Sequence, residues 1–135
     1  SSYGSNFLKT MLRLSSIKDS VDVVSDQVGG PTPAFHIAEA CVLIVQALKS
    51  KPEKSGIYHF SGFPDVCWCD FANAIFKENE SLTKAFPILS IQRPTQAKRP
   101  LNSRLDCSKL LDTFTIKRPD WRQELKTLIS NVDIA

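Results

Sequence analysis

Apolar residues near the start of the chain recur at three- and four-residue spacing, as expected for one face of a helix: Phe7, Leu8, Met11, Leu12 and Leu14. Ser5 or Asn6 can cap this helix, because either side chain accepts hydrogen bonds from the free amides of a first turn. The polar run Ser15–Ser20 ends it. The valines of the next segment, Val21–Val24, predict a short strand.

Two glycines and two prolines fall within Gln27–Pro33, which predicts a loop. Thr32 is expected to cap the following helix, with Pro33 at the first helical position, where a missing N–H costs nothing. This long helix is predicted from about Ala34 to Ser50. Its apolar residues cover more than one face, which indicates burial on two sides: Ile37, Ala38, Cys41, Val42, Ile44, Val45 and Leu48.

The second half predicts two strands and three helices. Ile57–Phe60 is predicted to be a strand, and Val66–Asn79 an amphipathic helix whose inward set is Val66, Cys69, Phe71, Ala72, Ile75 and Phe76. Another short strand is predicted at Ile88–Ile91. Asp106 can cap a short helix through Lys109–Leu111, and a last helix should follow Asp120, with Trp121, Leu125, Leu128 and Ile129 spaced to pack. The predicted order is α-β-α-β-α-β-α-α, an α/β fold with short strands and about five helices.

A basic segment, Gln92–Leu110, lies between the last predicted strand and the last helix. It holds three arginines, two lysines and two prolines, and no acid before Asp106. Each proline disfavours helix at the residue before it, so Arg93 and Arg99 are expected to be extended. The segment is interpreted either as one wall of a site for an anionic, polar ligand or as a solvated charged loop.

Composition narrows the function classes. With 135 residues, 42% apolar and 23% charged, the chain is predicted to be one globular domain over residues 1–135. A net charge of +3 is too small to favour nucleic acid as a partner. No apolar run approaches the roughly 20 residues that span a bilayer, and no signal peptide is visible, so a cytoplasmic location is expected. The start at Ser1, without Met, is interpreted as a position inside a longer chain or as a proteolytic boundary.

The residues that usually carry chemistry form no recognisable set here. The cysteines at 41, 67, 69 and 107 lack the spacing of a zinc or redox pair, and His36 and His59 complete no metal pattern, so reduced, packed thiols are expected. The sequence contains no glycine-rich dinucleotide turn, and neither tyrosine is followed four residues later by lysine. No catalytic residue and no metal ligand is therefore assigned.

Three segments read together resemble one family: Gly4–Leu12, Val23–Thr32 (Val-Val-Ser-Asp-Gln-Val-Gly-Gly-Pro-Thr) and Arg99–Leu105 (Arg-Pro-Leu-Asn-Ser-Arg-Leu). Gly56–Phe60, Trp68 with Asp70-Phe71-Ala72, and Pro119-Asp120-Trp121 fit the same pattern in the same order. The chain resembles the C-terminal, substrate-binding portion of dTDP-4-dehydrorhamnose reductases, which are extended short-chain dehydrogenases.

The resemblance implies an activity that the chain cannot perform alone. Family members reduce dTDP-4-dehydro-L-rhamnose to dTDP-L-rhamnose with NADPH or NADH, as a step towards cell-surface polysaccharide. Their N-terminal Rossmann domain carries the glycine-rich turn and the catalytic Thr/Ser and Tyr-x-x-x-Lys groups, all absent from this sequence. The chain is thus expected to bind the sugar nucleotide, to be inactive and to hold no nicotinamide cofactor by itself. Residues 21–32 are a candidate for the last Rossmann strand and its loop.

The resemblance also implies substrate-binding residues: Asn6, Phe7, Gln27, Pro31, Thr32, Arg99, Asn102, Ser103 and Arg104. Asn6 is interpreted either as a diphosphate contact at a helix start or as a plain cap. Gln27–Thr32 is either part of the cleft or a rigid connector. Of Arg99 and Arg104, one is expected to be structural; Arg99 is favoured to pair within the protein or brace the loop, and the same role is equally open for Arg104. Trp68 is predicted to be a core anchor rather than a ligand platform.

Two departures and one alternative accompany the resemblance. Some members bridge a dimer through magnesium held by glutamates, but Phe35 and Asn131 stand at the corresponding positions, so that metal site is doubtful here. His36 is expected to be a surface or capping residue. The alternative is a non-catalytic binding subunit of the same superfamily, like the regulatory subunit of methionine adenosyltransferase. Apolar surface left by the missing Rossmann domain is expected to favour self-association or a homodimer.

Overall fold

The computed structural model describes residues 4–132 and contains five α-helices and four short strands among them. Residues 1–3 and 133–135, the ends of the expected domain, lie outside the described part. The helices and strands are α1 (Phe7–Ser15), β1 (Ser20–Val24), β2 (Val28–Gly29), α2 (Ala34–Ser50), β3 (Val66–Cys67), α3 (Trp68–Glu78), β4 (Lys84–Ile88), α4 (Ser108–Phe114) and α5 (Trp121–Ser130). The predicted α/β class with about five helices is confirmed.

The strands form two separate two-stranded sheets. β1 and β4 are parallel, in a register that runs from Ser20 opposite Lys84 to Val24 opposite Ile88. β2 and β3 are antiparallel, with Val28 opposite Cys67. Because parallel strands need a long crossover, the chain between β1 and β4 carries both α2 and α3.

The main core lies between α1, α3 and the β1–β4 pair. Leu12, Ala72, Ile75 and Phe76 are at most 2% exposed, and Trp121 of α5 closes one side. The periodic apolar positions of α1 and α3 point inward as predicted, because burying that face supplies most of the stability of a helix in a folded domain. Asn6 caps α1 by accepting a hydrogen bond from the Lys9 amide at 3.0 Å.

A second, smaller cluster is built around Ala40 of α2, Leu110 of α4 and Ile116. Half-buried side chains pack against it: Ile44, Tyr58, Phe60 and Phe114. The Tyr58 and Phe114 rings meet edge to face, with centroids 5.0 Å apart. This cluster covers only one face of α2.

The prediction that α2 is buried on two sides is wrong for this chain. Its bounds are those predicted, yet Ala40 is its one fully buried residue among those described, and Val42 and Val45 are 55% and 56% exposed. Thr32 also does not cap α2; Pro33 holds the cap position, with extended backbone. Thr32 Oγ1 instead donates to the Gly30 carbonyl at 2.8 Å and accepts from the Gly62 amide at 2.9 Å.

Two strand predictions also need correction. Ile57–Phe60 is not a strand, because no strand in residues 4–132 lies beside it. The third predicted strand, Ile88–Ile91, is displaced: β4 ends at Ile88, and Ser90–Gln92 form a 3-10 turn. Lys84 and Pro87 dilute the apolar signal within β4, which is why the pattern pointed to the residues after it. The predicted loop Gln27–Pro33 includes the two residues of β2, and Val66 lies in β3 before α3.

Two glycines allow the loop after β2 to cross the segment after Phe60. A Cβ on Gly62 would lie 1.8 Å from the Pro31 carbonyl oxygen, and a Cβ on Gly30 would lie 2.3 Å from the Gly62 oxygen. Arg118 fastens the same crossing by donating to the Ser61 carbonyl at 3.2 Å and to the Gly62 carbonyl at 2.6 Å. The crossing holds the Gly30–Thr32 loop at the side of the candidate site.

Candidate functional site

A cavity of about 630 Å³ opens between α1, β1 and the basic segment; we call it the main cavity. Its size suits a nucleotide-sized ligand, since small-molecule sites occupy roughly 300–1,000 Å³. Fourteen residues line it: Phe7, Met11, Asp22, Val23, Val24, Gln27, Trp68, Ser90, Ile91, Arg93, Thr95, Ala97, Lys98 and Arg99. Apolar groups come from the folded core and cations from the basic segment.

The apolar wall carries two aromatic rings. The centroids of Phe7, at the start of α1, and Trp68, at the start of α3, are 4.7 Å apart, and Phe7 stacks on Phe71 at 5.6 Å. Phe71 in turn meets Trp121 edge to face, so the wall continues directly into the main core. A wall braced in this way keeps a fixed position, and its two rings, whose planes are tilted by 47°, offer aromatic surface to a planar ring.

The opposite rim is cationic. Lys98 and Arg99 line it and make no ion pair within residues 4–132, and Arg93 donates to the main-chain carbonyl of Asp22 at 3.1 Å. The side chain of Asp22 is the single acid among the lining residues named above. Cations without an intramolecular partner can bind an anion without first breaking an existing contact.

Asp26 fixes the position of the rim relative to β1. Its carboxylate accepts from the Ser90 amide at 3.0 and 3.1 Å and from the Ser90 hydroxyl at 2.7 Å. The hydrogen bond from the Ser90 amide, followed by that from its hydroxyl, lowers the pKa of Asp26 below its ordinary value. The end of β1 is therefore tied to the 3-10 turn that introduces the basic segment.

Two smaller cavities adjoin the main one through Trp68. The first, of about 190 Å³, lies between α1, α5 and Pro31–Pro33, and Asn6, Phe7 and Trp68 line it. The second, of about 170 Å³, includes Pro31, Thr32, Ser103 and Trp68 among its lining residues. Trp68 lines all three cavities, so a ligand that extends from one to another must pass its ring.

The residues expected to bind substrate fall into three groups in space. Phe7, Gln27 and Arg99 line the main cavity. Asn6, Pro31, Thr32 and Ser103 line the smaller ones. Asn102 and Arg104 line none of the three. The structure thus gathers seven of the nine expected residues around Trp68, while their ligand roles stay predictions.

Of the two arginines, it is Arg104 that makes the internal contacts favoured for Arg99 and left equally open for Arg104. Arg104 braces the loop: its Nε donates to the Asn102 side-chain oxygen at 2.9 Å, and its amide donates to the same atom at 3.1 Å. Arg99 makes no hydrogen bond or ion pair within the described chain and faces the main cavity. Asn6 caps α1, which is the structural role weighed for it.

The basic segment is anchored to the loop that contains Gln27. The Val28 amide donates to the Leu101 carbonyl at 2.8 Å, and the Val28 carbonyl accepts from the Ser103 amide at 2.9 Å. The Ser103 hydroxyl donates to the same Val28 carbonyl at 3.0 Å. Ser103 therefore joins two segments that lie 75 positions apart, and both segments contribute to the site.

Lys98 and Ser90 are site residues that the sequence analysis did not single out, and Trp68 is a site residue to which it gave another role. Trp68 was predicted to be a core anchor, but it is only half-buried and lines all three cavities. Its position at the first residue of α3, facing Phe7 across the chain, is a tertiary feature that no local pattern contains. Lys98 belongs to the basic segment, so its charge could be read from the sequence, but its place in the lining of the main cavity could not.

The two residues expected at the positions of magnesium-binding glutamates, Phe35 and Asn131, are not among those that line the main cavity. Phe35 is in the first turn of α2, and Asn131 ends α5. His36 links the same two helices: its Nδ1 is 2.8 Å from the Glu39 carboxylate, and its Nε2 is 3.6 Å from that of Glu124. Within residues 4–132 no three acidic, histidine or cysteine side chains converge on a common point.

In the same range, no helix is long and apolar enough to cross a bilayer.

Comparison with known proteins places these features in a family. The model of the RmlD substrate binding domain matches residues 1–134. A dTDP-4-dehydrorhamnose reductase of Aggregatibacter actinomycetemcomitans is 44% identical over 133 residues, which cover 93% of this chain and 45% of that protein. The chain therefore spans less than half the length of this curated relative.

Solved structures give the same result. A dTDP-4-dehydrorhamnose reductase of Clostridium acetobutylicum superposes with a TM-score of 0.82 at 32% identity, over 94% of this chain and 44% of that one. A reductase of Bacillus anthracis, solved in complex with NADP, superposes with a TM-score of 0.81 at 27% identity, over 96% and 44%. The fold described above is therefore that of one portion of these larger proteins.

Proposed function

The chain belongs to the RmlD substrate binding domain family, and from that premise we propose that it is the sugar-nucleotide-binding part of a dTDP-4-dehydrorhamnose reductase. The complete enzyme would reduce dTDP-4-dehydro-L-rhamnose to dTDP-L-rhamnose with NADPH or NADH. The observation that carries the proposal is the main cavity, which has a braced aromatic wall on one side and unpaired cations on the other.

Each wall suits one part of a nucleoside diphosphate sugar. The planar thymine ring would lie against Trp68 and Phe7, because flat apolar faces bind planar bases. The diphosphate would face Lys98 and Arg99, whose charges have no acidic partner within residues 4–132. The neighbouring cavities lined by Pro31, Thr32 and Ser103 offer polar groups for the sugar.

The residues of this chain do not fit a nicotinamide dinucleotide. A dinucleotide site needs a glycine-rich turn between a strand and a helix, and here β1 is followed by Ser25-Asp26-Gln27 and the two-residue strand β2. No step of hydride transfer is assigned to this chain, and we expect it to be inactive alone. Its proposed role is to bind and orient the substrate for groups carried by another part of the enzyme.

Calorimetry of the chain with dTDP at low salt tests the proposal. We expect weak binding that weakens further as salt is added, because screening reduces the attraction between the diphosphate and the exposed cations. Absence of dTDP binding by the folded chain at low salt would contradict it. Binding of inorganic pyrophosphate as tight as that of dTDP would show that the aromatic wall contributes nothing.

Intrinsic fluorescence locates the base independently. Trp68 lines all three cavities, whereas Trp121 lines only the cavity of about 190 Å³, is 4% exposed, and donates from its Nε1 to the Pro64 carbonyl at 2.7 Å. We expect dTDP to quench the fluorescence of the chain. We also expect Trp68→Phe to abolish most of that change while calorimetric binding persists, since phenylalanine keeps an aromatic face. Quenching that survives Trp68→Phe would place the base elsewhere.

The parent gene separates the enzyme from a non-catalytic binding subunit of the same superfamily. A glycine-rich turn and a Tyr-x-x-x-Lys pair encoded upstream would support the enzyme, and their absence would favour the binding subunit. In a complete enzyme, Arg104→Ala is expected to weaken substrate binding and leave the affinity for NADPH unchanged. Because Arg104 braces Asn102, equal loss of both affinities would show a purely structural role.

A further inference from the structure

Arg118 lies between α4 and α5 and binds a neighbouring segment with its guanidinium group. Its Nε donates to the Ser61 carbonyl at 3.2 Å, and its Nη2 donates to the Gly62 carbonyl at 2.6 Å. The same Nη2 pairs with the Asp65 carboxylate. One side chain therefore holds both ends of the segment 61–65.

Lysine could not replace Arg118 in these contacts. A guanidinium presents several N–H donors in one rigid plane, so it can bind two main-chain carbonyls and a carboxylate at once. A lysine ammonium is a compact charge on a flexible stem, and it would keep the pair with Asp65 rather than the carbonyl contacts. The side chains of Arg118 and Asp65 are only 24% and 25% exposed. The hold on the two carbonyls therefore depends on the guanidinium itself and not on its charge alone.

The segment 61–65 in turn holds the Gly30–Thr32 loop. The Gly62 amide donates to Thr32 Oγ1 at 2.9 Å, and the Thr32 hydroxyl donates to the Gly30 carbonyl at 2.8 Å. A Cβ added to Gly30 would lie 3.1 Å from Arg118 Nη2, so the loop passes close to the guanidinium. Gly62 thus connects Arg118, through its carbonyl, with Thr32, through its amide.

This loop forms walls of the two smaller cavities and not of the main cavity. Pro31 and Thr32 line both smaller cavities, and Ser61 lines the one of about 170 Å³. None of these three residues lines the main cavity, and Arg118 lines none of the three cavities. The rim of the main cavity is held by separate contacts, among them the hydrogen bonds that Asp26 accepts. Loss of the guanidinium should therefore disturb the smaller cavities and spare the main one.

We propose that Arg118 is a positioning residue for the sugar of the nucleotide sugar. It contacts no ligand itself and acts through Gly62 and Thr32, which fix the walls of the two smaller cavities. The inference rests on the proposed function, which assigns the base and the diphosphate to the main cavity and the sugar to the smaller ones. Its consequence is selective, because removal of the guanidinium should weaken the contribution of the sugar to binding and not that of the nucleoside diphosphate.

Calorimetry with dTDP and with dTDP-L-rhamnose separates the two contributions. We expect the chain to bind dTDP-L-rhamnose more tightly than dTDP. Arg118→Lys should reduce that advantage roughly fivefold, the effect of about one lost hydrogen bond, and leave the affinity for dTDP unchanged. Equal losses for the two ligands would show a merely structural role and overturn the proposal. Equal affinities of the unsubstituted chain for the two ligands would also overturn it, because the sugar would then not use the smaller cavities.

Arg122→Lys is the matched control. Arg122 lies in the first turn of α5, its side chain is 56% exposed, and within residues 4–132 that side chain binds only the Asp120 carboxylate. The same substitution at this position keeps the charge and should leave both affinities unchanged. If Arg122→Lys reduced the sugar advantage as much as Arg118→Lys, the proposal would be wrong.

Hydrogen exchange tests the connection from Arg118 to Thr32 without any ligand. The Gly62 amide is hydrogen-bonded to Thr32 and should exchange slowly in the unsubstituted chain. We expect Arg118→Lys to speed exchange at Gly62 roughly tenfold, while the amide of the fully buried Ile75 in α3 keeps its rate. Unchanged exchange at Gly62, or an equal acceleration at Ile75, would overturn the proposal. Failure of the chain to bind dTDP would instead contradict the proposed function, and exchange at Gly62 would still decide whether Arg118 holds the loop.

Discussion

Two regions of this chain are built from similar sequence patterns but differ in how far the chain completes them. The closed region consists of α1, β1, α3 and β4, and its central residues Ile75 and Ala72 are fully buried. The open region consists of α2 and Ile57–Phe60, where large apolar residues remain exposed. The difference teaches that periodicity reveals how many faces a helix can bury, whereas the elements that pack against the helix decide how many faces it does bury.

Truncation in the two regions gives the largest expected contrast. Ile75→Ala should lower the free energy of unfolding by about 2–5 kcal/mol, because it leaves a cavity in a packed core. Val42→Ala should change it by less than about 0.5 kcal/mol, because the side chain is more than half exposed. Urea denaturation with an unchanged m value measures both. A loss at Val42 as large as that at Ile75 would break the comparison.

The glycine crossing where the two regions meet gives the next largest effect. A Cβ on Gly62 would lie 1.8 Å from the Pro31 carbonyl oxygen, so Gly62→Ala must displace backbone and should cost about 1–3 kcal/mol. Gly56→Ala is the control, because its nearest contact would be Lys109 Nζ at 3.5 Å, and it should stay within about 0.5 kcal/mol. Thermal unfolding of the two variants ranks them; similar melting temperatures would show that the crossing is easily displaced.

The fold was predictable from sequence where its contacts are local. The bounds of α2 and the caps of α1 and α5 follow from Pro33, Asn6 and Asp120 and from apolar spacing within each helix. The strands were less predictable, because β2 and β3 have two residues each and exist only through mutual pairing. Ile57–Phe60 fits the strand pattern but lacks a partner in residues 4–132.

The sequence predicted which segments contribute to the site, but not the role of each residue in it. The basic segment was identified from its charge, and the Gln27–Thr32 loop from its glycines and prolines. The two segments are in contact, because the Ser103 hydroxyl donates to the Val28 carbonyl. Which of Arg99 and Arg104 finds an internal acceptor could not be decided from sequence, because it depends on the path of the loop. Trp68 was predicted to be a core anchor; it packs against the main core and also lines the cavity, a tertiary feature that no local pattern contains.

The two walls of the main cavity extend the comparison to binding. Phe7 belongs to the closed region, while Arg99 lies on the exposed basic segment. Arg99→Ala should weaken dTDP binding roughly two- to fivefold, because a contact from an exposed cation contributes up to about 1 kcal/mol. Arg13→Ala, on α1 outside the residues that line the main cavity, removes the same charge and should leave the affinity unchanged. Calorimetry at one low salt concentration measures the dTDP affinity of both variants. Equal losses of affinity would show that Arg99 acts only through the net charge of the chain.

The tie between Asp26 and Ser90 gives the smallest expected effect and tests how firmly the basic segment is joined to the closed region. The Ser90 amide and hydroxyl lower the pKa of Asp26 in the folded chain, so the ionised carboxylate stabilises the fold above the pKa of the unfolded state, near 3.9. That contribution is lost as the pH falls through the lower, folded-state pKa. Asp26→Asn should therefore slightly lower the melting temperature at neutral pH and reduce its fall on acidification. Asp19→Asn, at a carboxylate for which no hydrogen bond is found in residues 4–132, is the control, and it should leave the slope of melting temperature against pH unchanged. If the two variants gave the same slope, Ser90 would not be the source of the acid sensitivity, and the segment would be held by its Val28 contacts instead.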